Sequence, residues 1–191
     1  MKTIITILLS FLFSTGSLFA NEVNIFSARH YNSDVKLYEK FTAKTGIKVN
    51  VVSGKDKALQ KRIMEEGEFC KGDLYITADA GRLGTLQEKG MFQKASSKIL
   101  KEAIPSNFRS PYWYGIAKRA RVIYYAPDRL SVSDLKGLSY EDLSDPKWKG
   151  KVVIRKSSSV YNQSLVASLI ANNGKKEAAK WANGLVKNLA R

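Results

Sequence analysis

The stretch Ile25 to Asp34, IFSARHYNSD, decides how the rest of the chain is read. Asn24 to Ser27 reads as a short apolar strand, and His30 and Tyr31 follow at its C-terminal end. Asn32 or Ser33 then reads as the N-cap of a helix with Asp34 in its first turn, where an acid meets the positive end of the helix dipole. A strand running straight into a helix in this way aims an imidazole and a phenol at the C-terminal edge of a sheet. Open α/β folds place their ligands there, beside helix N-termini.

Outward from this junction, Leu37, Tyr38 and Phe41 supply an apolar stripe, and Gly46 stops the helix at the position that favours a left-handed residue. Ile47, Val49 and Val51 alternate with Lys48 and Asn50, which is the period of a second strand. The same unit recurs in type: a helix over Lys57 to Glu66 with Leu59 and Ile63 inward, Gly67 closing it, a strand over Asp73 to Thr77, and a helix over Ala80 to Lys89 ending at Gly90. Strands alternating with helices predict a parallel sheet with right-handed crossovers, so the fold class is α/β.

Past Pro105 and Pro111, Trp113 to Ala117 and Val122 to Ala126 read as strands, and Pro127-Asp128 as a turn out of them. Ser139 to Leu143 reads as a short helix, Asp145-Pro146 as a breaker and Lys151 to Arg155 as a strand. The serine run Ser157 to Ser159 leads through Tyr161 to a helix over Gln163 to Ala171, and Asn173-Gly174 separates it from a last helix over Lys175 to Leu189. This second α/β unit reads as unfinished, because one strand with two helices cannot cover both faces of a sheet.

Composition bounds the function. Met1-Lys2 followed by Thr3 to Phe13, in which eight of eleven positions are apolar, has the form of a secretory leader, with a cut expected after Ala20. The remainder is about 170 residues, with one cysteine, Cys70, and therefore no internal disulfide; Cys70 reads as a small buried hydrophobe. The formal charge is +15, but its lysines are dispersed in the manner of solvated helix faces, without the concentrated basic patch or motif of a nucleic-acid binder. The chain has a single histidine, and no serine–histidine–carboxylate arrangement, Walker loop or paired-cysteine motif, so it reads as a binding protein and not an enzyme. The expected division is 1–20 leader, 21–120 first lobe, and 121–191 hinge strand with a partial second lobe.

The motifs NIFSARHYNSD, GDLYITADAGRL, WYGIAKRARVIYY and SYEDLSDPKWKGKVVIRKSSSVYNQSLVASLIA carry a resemblance that extends over essentially the whole chain after residue 20. The chain resembles the periplasmic ferric-ion-binding proteins of ABC importers, of the type represented by cyanobacterial iron-deficiency-induced proteins. The resemblance implies a type II periplasmic-binding-protein architecture of two lobes, here with the second lobe incomplete, since the family continues beyond the point matched by Arg191. It implies Fe3+ as the transported ligand in an inter-lobe cleft, an inner-membrane ABC permease as partner, a monomer, and a periplasmic location. Residue by residue, Tyr31 matches the first-lobe tyrosinate, His30 the histidine beside it, Tyr161 the second-lobe tyrosinate, and Arg121 an arginine that balances tyrosinate charge next to the metal. Tyr124-Tyr125 does not match the family's adjacent tyrosine pair, which lies further along, and reads as packing residues of a crossover strand.

Elementary chemistry supports tyrosine here independently. Ferric ion is hard and prefers anionic oxygen donors to thiolates. A phenol with an ordinary pKa near 10 becomes a phenolate at neutral pH only when a neighbouring cation stabilises it, so loading releases protons and acid weakens binding. Two other readings are capture of a small anionic organic solute by Arg29, Arg121, Arg155 and the Ser157 to Ser159 hydroxyls, and a non-binding truncated remnant.

Overall fold

The computed structural model describes residues 22–29 and 31–191. The expected leader over 1–20 and the expected ligand His30 lie outside the described residues. The chain divides into two compact units, one running to Ala78 and taking in Leu86–Phe92, the other made of Asp79–Thr85 and Gln93–Arg191.

The first unit contains β1 (Glu22–Ser27), α1 (Asn32–Thr45), β2 (Lys48–Ser53), α2 (Asp56–Glu66) and β3 (Leu74–Ile76). The three strands form a parallel sheet of order β2-β1-β3, as the strand-helix alternation requires. β1 is central and extends to Glu22, two residues before the expected start. The register pairs Phe26 with Val52 on one side and with Tyr75 on the other. Side chains paired in register share a face, so Phe26 and Val52 meet Leu59, Ile63 and Leu86 in one apolar cluster. Val51 therefore points the other way and is 42% exposed, although the alternation of β2 had placed it inward with Val49.

α1 differs from its expected form in two respects. Tyr31, not Asn32 or Ser33, occupies the N-cap position, with φ −91° and ψ 136°, and its carbonyl accepts the Asp34 N–H at 3.0 Å. Leu37 and Phe41 are exposed, while Asp34, Tyr38 and Thr42 turn toward the sheet. These three are spaced by four residues and share one stripe; the ion pair of Asp34 with Arg29 draws that stripe inward. Gly46, at φ 72°, closes the helix as expected, its N–H donating to Thr42 O at 2.8 Å. Burial pushes the Tyr38 phenol up from its ordinary value.

A polar brace ties α2 to β3. Asp56, in the first turn of α2, accepts hydrogen bonds from the Tyr75 hydroxyl and, at 2.8 Å, from the Thr77 hydroxyl. Gln60 Nε2 donates to Tyr75 Oη at 3.3 Å. Burial, and then the hydrogen bond to Asp56, push the Tyr75 phenol up to about 12.

In the second unit α3 (Ala80–Glu88) contributes its first turns, followed by α4 (Lys98–Ala103), several 3₁₀ turns and α5 (Val160–Lys187). α5 breaks at Gly174, φ 83° and ψ 158°, so the two helices expected on either side of Asn173-Gly174 are both present. Folded back on each other, they bury Leu165, Leu169, Ala178, Trp181 and Leu185 against Trp148 and Val152. Buried Asn188 fastens the end of α5 by donating its amide to Leu143 O at 2.9 Å and Asp145 O at 2.7 Å.

The strands expected over Trp113 to Ala117, Val122 to Ala126 and Lys151 to Arg155 do not form. Only single bridges occur there, Arg109 with Tyr114 and Val152 with Leu189. A strand persists only where a neighbour completes its hydrogen-bond ladder, and the only sheet among the described residues is that of the first unit. Tyr124 is 90% exposed and Tyr125 41%, so neither is the packing residue that the sequence suggested. Residues 93–114 hold to one another: Ala95 N–H donates to Pro111 O at 2.8 Å and Tyr114 Oη to Ala95 O at 3.1 Å.

Candidate functional site

In the first unit the candidate residues sit where β1 ends and α1 begins. The Ser27 hydroxyl accepts the Arg29 N–H at 3.1 Å and shapes the turn out of the strand. Arg29 then makes a two-point pair with Asp34, Nε to Oδ2 at 3.0 Å and Nη2 to Oδ1 at 3.1 Å, which raises the arginine above its ordinary value. The same guanidinium lies 5.0 Å from the centre of the Tyr31 ring, and the ring is half exposed. The α1 N-terminus thus carries positive potential into the space beside the phenol, while the charge of Arg29 is offset by its pair with Asp34. An open cleft of ≈ 700 Å³ adjoins it, lined by Ser27, Tyr38, Val49 and Val51 among others.

In the second unit Tyr161 is the second residue of α5 and is half-buried. Its ring has the Arg155 guanidinium 4.9 Å from its centre and that of Arg119 at 5.5 Å. Arg119 Nη2 also reaches Tyr161 Oη at 3.5 Å. Asn162 Nδ2 donates to Arg155 O at 2.8 Å and ties that arginine's backbone to the helix start. Arg121 instead donates Nη2 to the Ser164 hydroxyl at 2.9 Å, three residues along the helix from Tyr161. Ser164 Oγ is in turn 3.3 Å from Asp79 Oδ2.

Sequence reasoning singled out Arg121 as an arginine that balances tyrosinate charge next to the metal, and did not assign Arg119 or Arg155 to the Tyr161 ring. Among the described residues no group of three or more His, Cys, Asp or Glu is placed to hold a metal. Cys70 is half-buried against the Phe26 cluster and its thiol is pushed up by burial, as suits a packing residue.

Comparison with known proteins gives a match over residues 71–191 to the family model described as bacterial extracellular solute-binding protein. The chain belongs to this solute-binding protein family. Iron uptake protein A1 of Synechocystis sp. is 49% identical over 172 residues, which are 89% of this chain and 47% of that protein. The structure of Trichodesmium IdiA (FutA) in complex with iron and citrate matches with a TM-score of 0.83 at 50% identity, over 89% of this chain and 54% of that one. The ferric binding protein of Campylobacter jejuni matches with a TM-score of 0.80 at 43% identity, over 88% of this chain and 54% of that one. This solute-binding protein thus has the α/β fold of the type II periplasmic ferric-binding proteins and spans about half the length of the curated relatives it matches.

Proposed function

We propose that the protein is the ferric-ion-capturing component of an ABC-type iron importer, exported to the periplasm, with Fe3+ as cargo and an inner-membrane permease as partner. Tyr31 and Tyr161 act as phenolate donors, His30 as a further ligand and Arg121 as a charge-balancing neighbour through Ser164. The role is binding and delivery, without catalysis. The observation that carries this reading is that both tyrosines singled out on sequence stand at helix N-termini with a guanidinium against the ring. The names of the most similar relatives, an iron uptake protein and ferric-binding structures, support the choice of cargo.

Ferric citrate added to the protein is expected to give a visible phenolate-to-iron absorption band, with release of protons and loss of the band on acidification. No colour at any ferric citrate concentration sinks the reading. A second reading, capture of a small anionic organic solute, is favoured by the three arginines Arg119, Arg121 and Arg155 on the first turns of α5. It predicts that such an anion raises the Tm without any colour.

A further inference from the structure

The reading of Tyr161 as a ferric donor leaves unexplained why two arginines other than Arg121 lie on its ring. Arg119 arrives from 42 residues upstream and Arg155 from the turn just before α5. Arg155 is tethered by the bond from Asn162, and Arg119 reaches both the ring and its oxygen. We propose that Arg119 and Arg155 are positioning residues for Tyr161, holding its ring from two separate segments so that the phenol oxygen meets the ferric ion in one orientation. The proposal rests on Tyr161 being a donor.

Two physical effects make such a clamp useful. A tyrosine side chain turns about two torsions, and freedom lost before the ligand arrives is not lost again on binding. A planar, permanently charged guanidinium suits this task, because it stacks on an aromatic face and donates hydrogen bonds at its edge. In addition, the phenol oxygen carries negative charge when it holds the metal and attracts both guanidiniums, an attraction that offsets part of their repulsion from the ferric ion itself. Only an interaction that differs between the two states changes affinity. Arg121, on Ser164, holds the helix turn and not the ring.

The test uses the full chain with Arg119→Ala, Arg155→Ala, Arg155→Lys and Arg155→Gln. In the metal-free protein, the ring resonances of Tyr161, assigned by their loss in Tyr161→Phe, are expected to shift in both alanine variants and to stay in place in Arg29→Ala. On ferric citrate titration, each alanine variant is expected to weaken binding by up to about two- to fivefold, the whole worth of an exposed cation–π contact being the upper bound on its difference between the two states. Arg155→Lys restores part of the loss, while Arg155→Gln, which keeps a polar side chain without charge, restores none. Unmoved ring resonances overturn the clamp whatever iron does. Shifted resonances with unchanged ferric affinity overturn its positioning role. If the parent protein stays colourless, the ferric reading fails and takes the clamp's role in iron binding with it; shifted resonances would then mark a structural contact only.

Discussion

Replacing Gly184 by alanine sets two effects of opposite sign against each other. Gly184 lies in the second half of α5, in a helical conformation, where alanine gains about 0.8–1 kcal/mol of helix propensity. A Cβ at this position, however, would stand 2.8 Å from both Cβ and O of Ser144 and 3.3 Å from its Cα. These are not the ends of flexible side chains, so the 141–144 turn must move away. Within a turn on either side, Trp181 Nε1 donates to Tyr140 O at 2.7 Å and Asn188 Nδ2 to Leu143 O at 2.9 Å, and that movement strains both bonds. Overpacking costs about 1–3 kcal/mol, and each weakened hydrogen bond adds about 1 kcal/mol. The clash wins, and Gly184→Ala is expected to lose roughly 2–4 kcal/mol. The three tryptophans, Trp113, Trp148 and Trp181, all lie in the second unit, so urea unfolding followed by tryptophan fluorescence reads this change directly. The reference is Gly84→Ala in α3, where an added Cβ meets nothing within 4 Å and a gain of up to about 1 kcal/mol is expected. A midpoint that rises in Gly184→Ala would refute the close approach of α5 to this turn.

Two further predictions concern the first unit, which has no tryptophan and is followed by far-UV circular dichroism. Leu86 is fully buried against Phe26, Leu59 and Ile63, so Leu86→Ala should cost about 2–5 kcal/mol; a loss under 1 kcal/mol would mean that the cluster is loosely packed. The Tyr75 phenol, raised from 10.0 to about 12, keeps its proton in the folded state over a range where the unfolded chain gives it up, so stability is whole below pH 10 and falls as pH rises toward 12. With allowance for its partial exposure the loss is about 1–2 kcal/mol. Tyr75→Phe should remove that part of the alkaline slope, and an unchanged slope would contradict the Asp56 brace.

What was legible in the sequence was local. Gly46, Gly67 and Gly90 punctuate helix ends by their own backbone freedom, and all three take positive φ where helices end. The alternation of strand and helix through β3 was legible for the same reason, as was the placing of Tyr31 at a helix start. The stripe of α1 was misjudged because a residue pattern ranks Leu37 and Phe41 above Asp34, while the pairing of Arg29 with Asp34 across the strand-helix turn reverses that order. The expected strands at Val122 and Lys151 failed because strand propensity states only that a segment suits a ladder, not that a neighbour is there. Arg119 and Arg155 were hidden for a related reason: which guanidinium reaches a ring is set by how segments 42 and 6 residues from Tyr161 fold back, and periodicity carries none of that.

The central claim, that ferric ion is held by the phenolates of Tyr31 and Tyr161, is tested most directly by resonance Raman spectra excited in the visible band of the ferric citrate-loaded protein. Phenolate ring modes are predicted in the parent protein, diminished in Tyr31→Phe and in Tyr161→Phe and absent in the double variant. Phenolate modes of undiminished strength in the double variant, or a parent spectrum without them, would contradict the account.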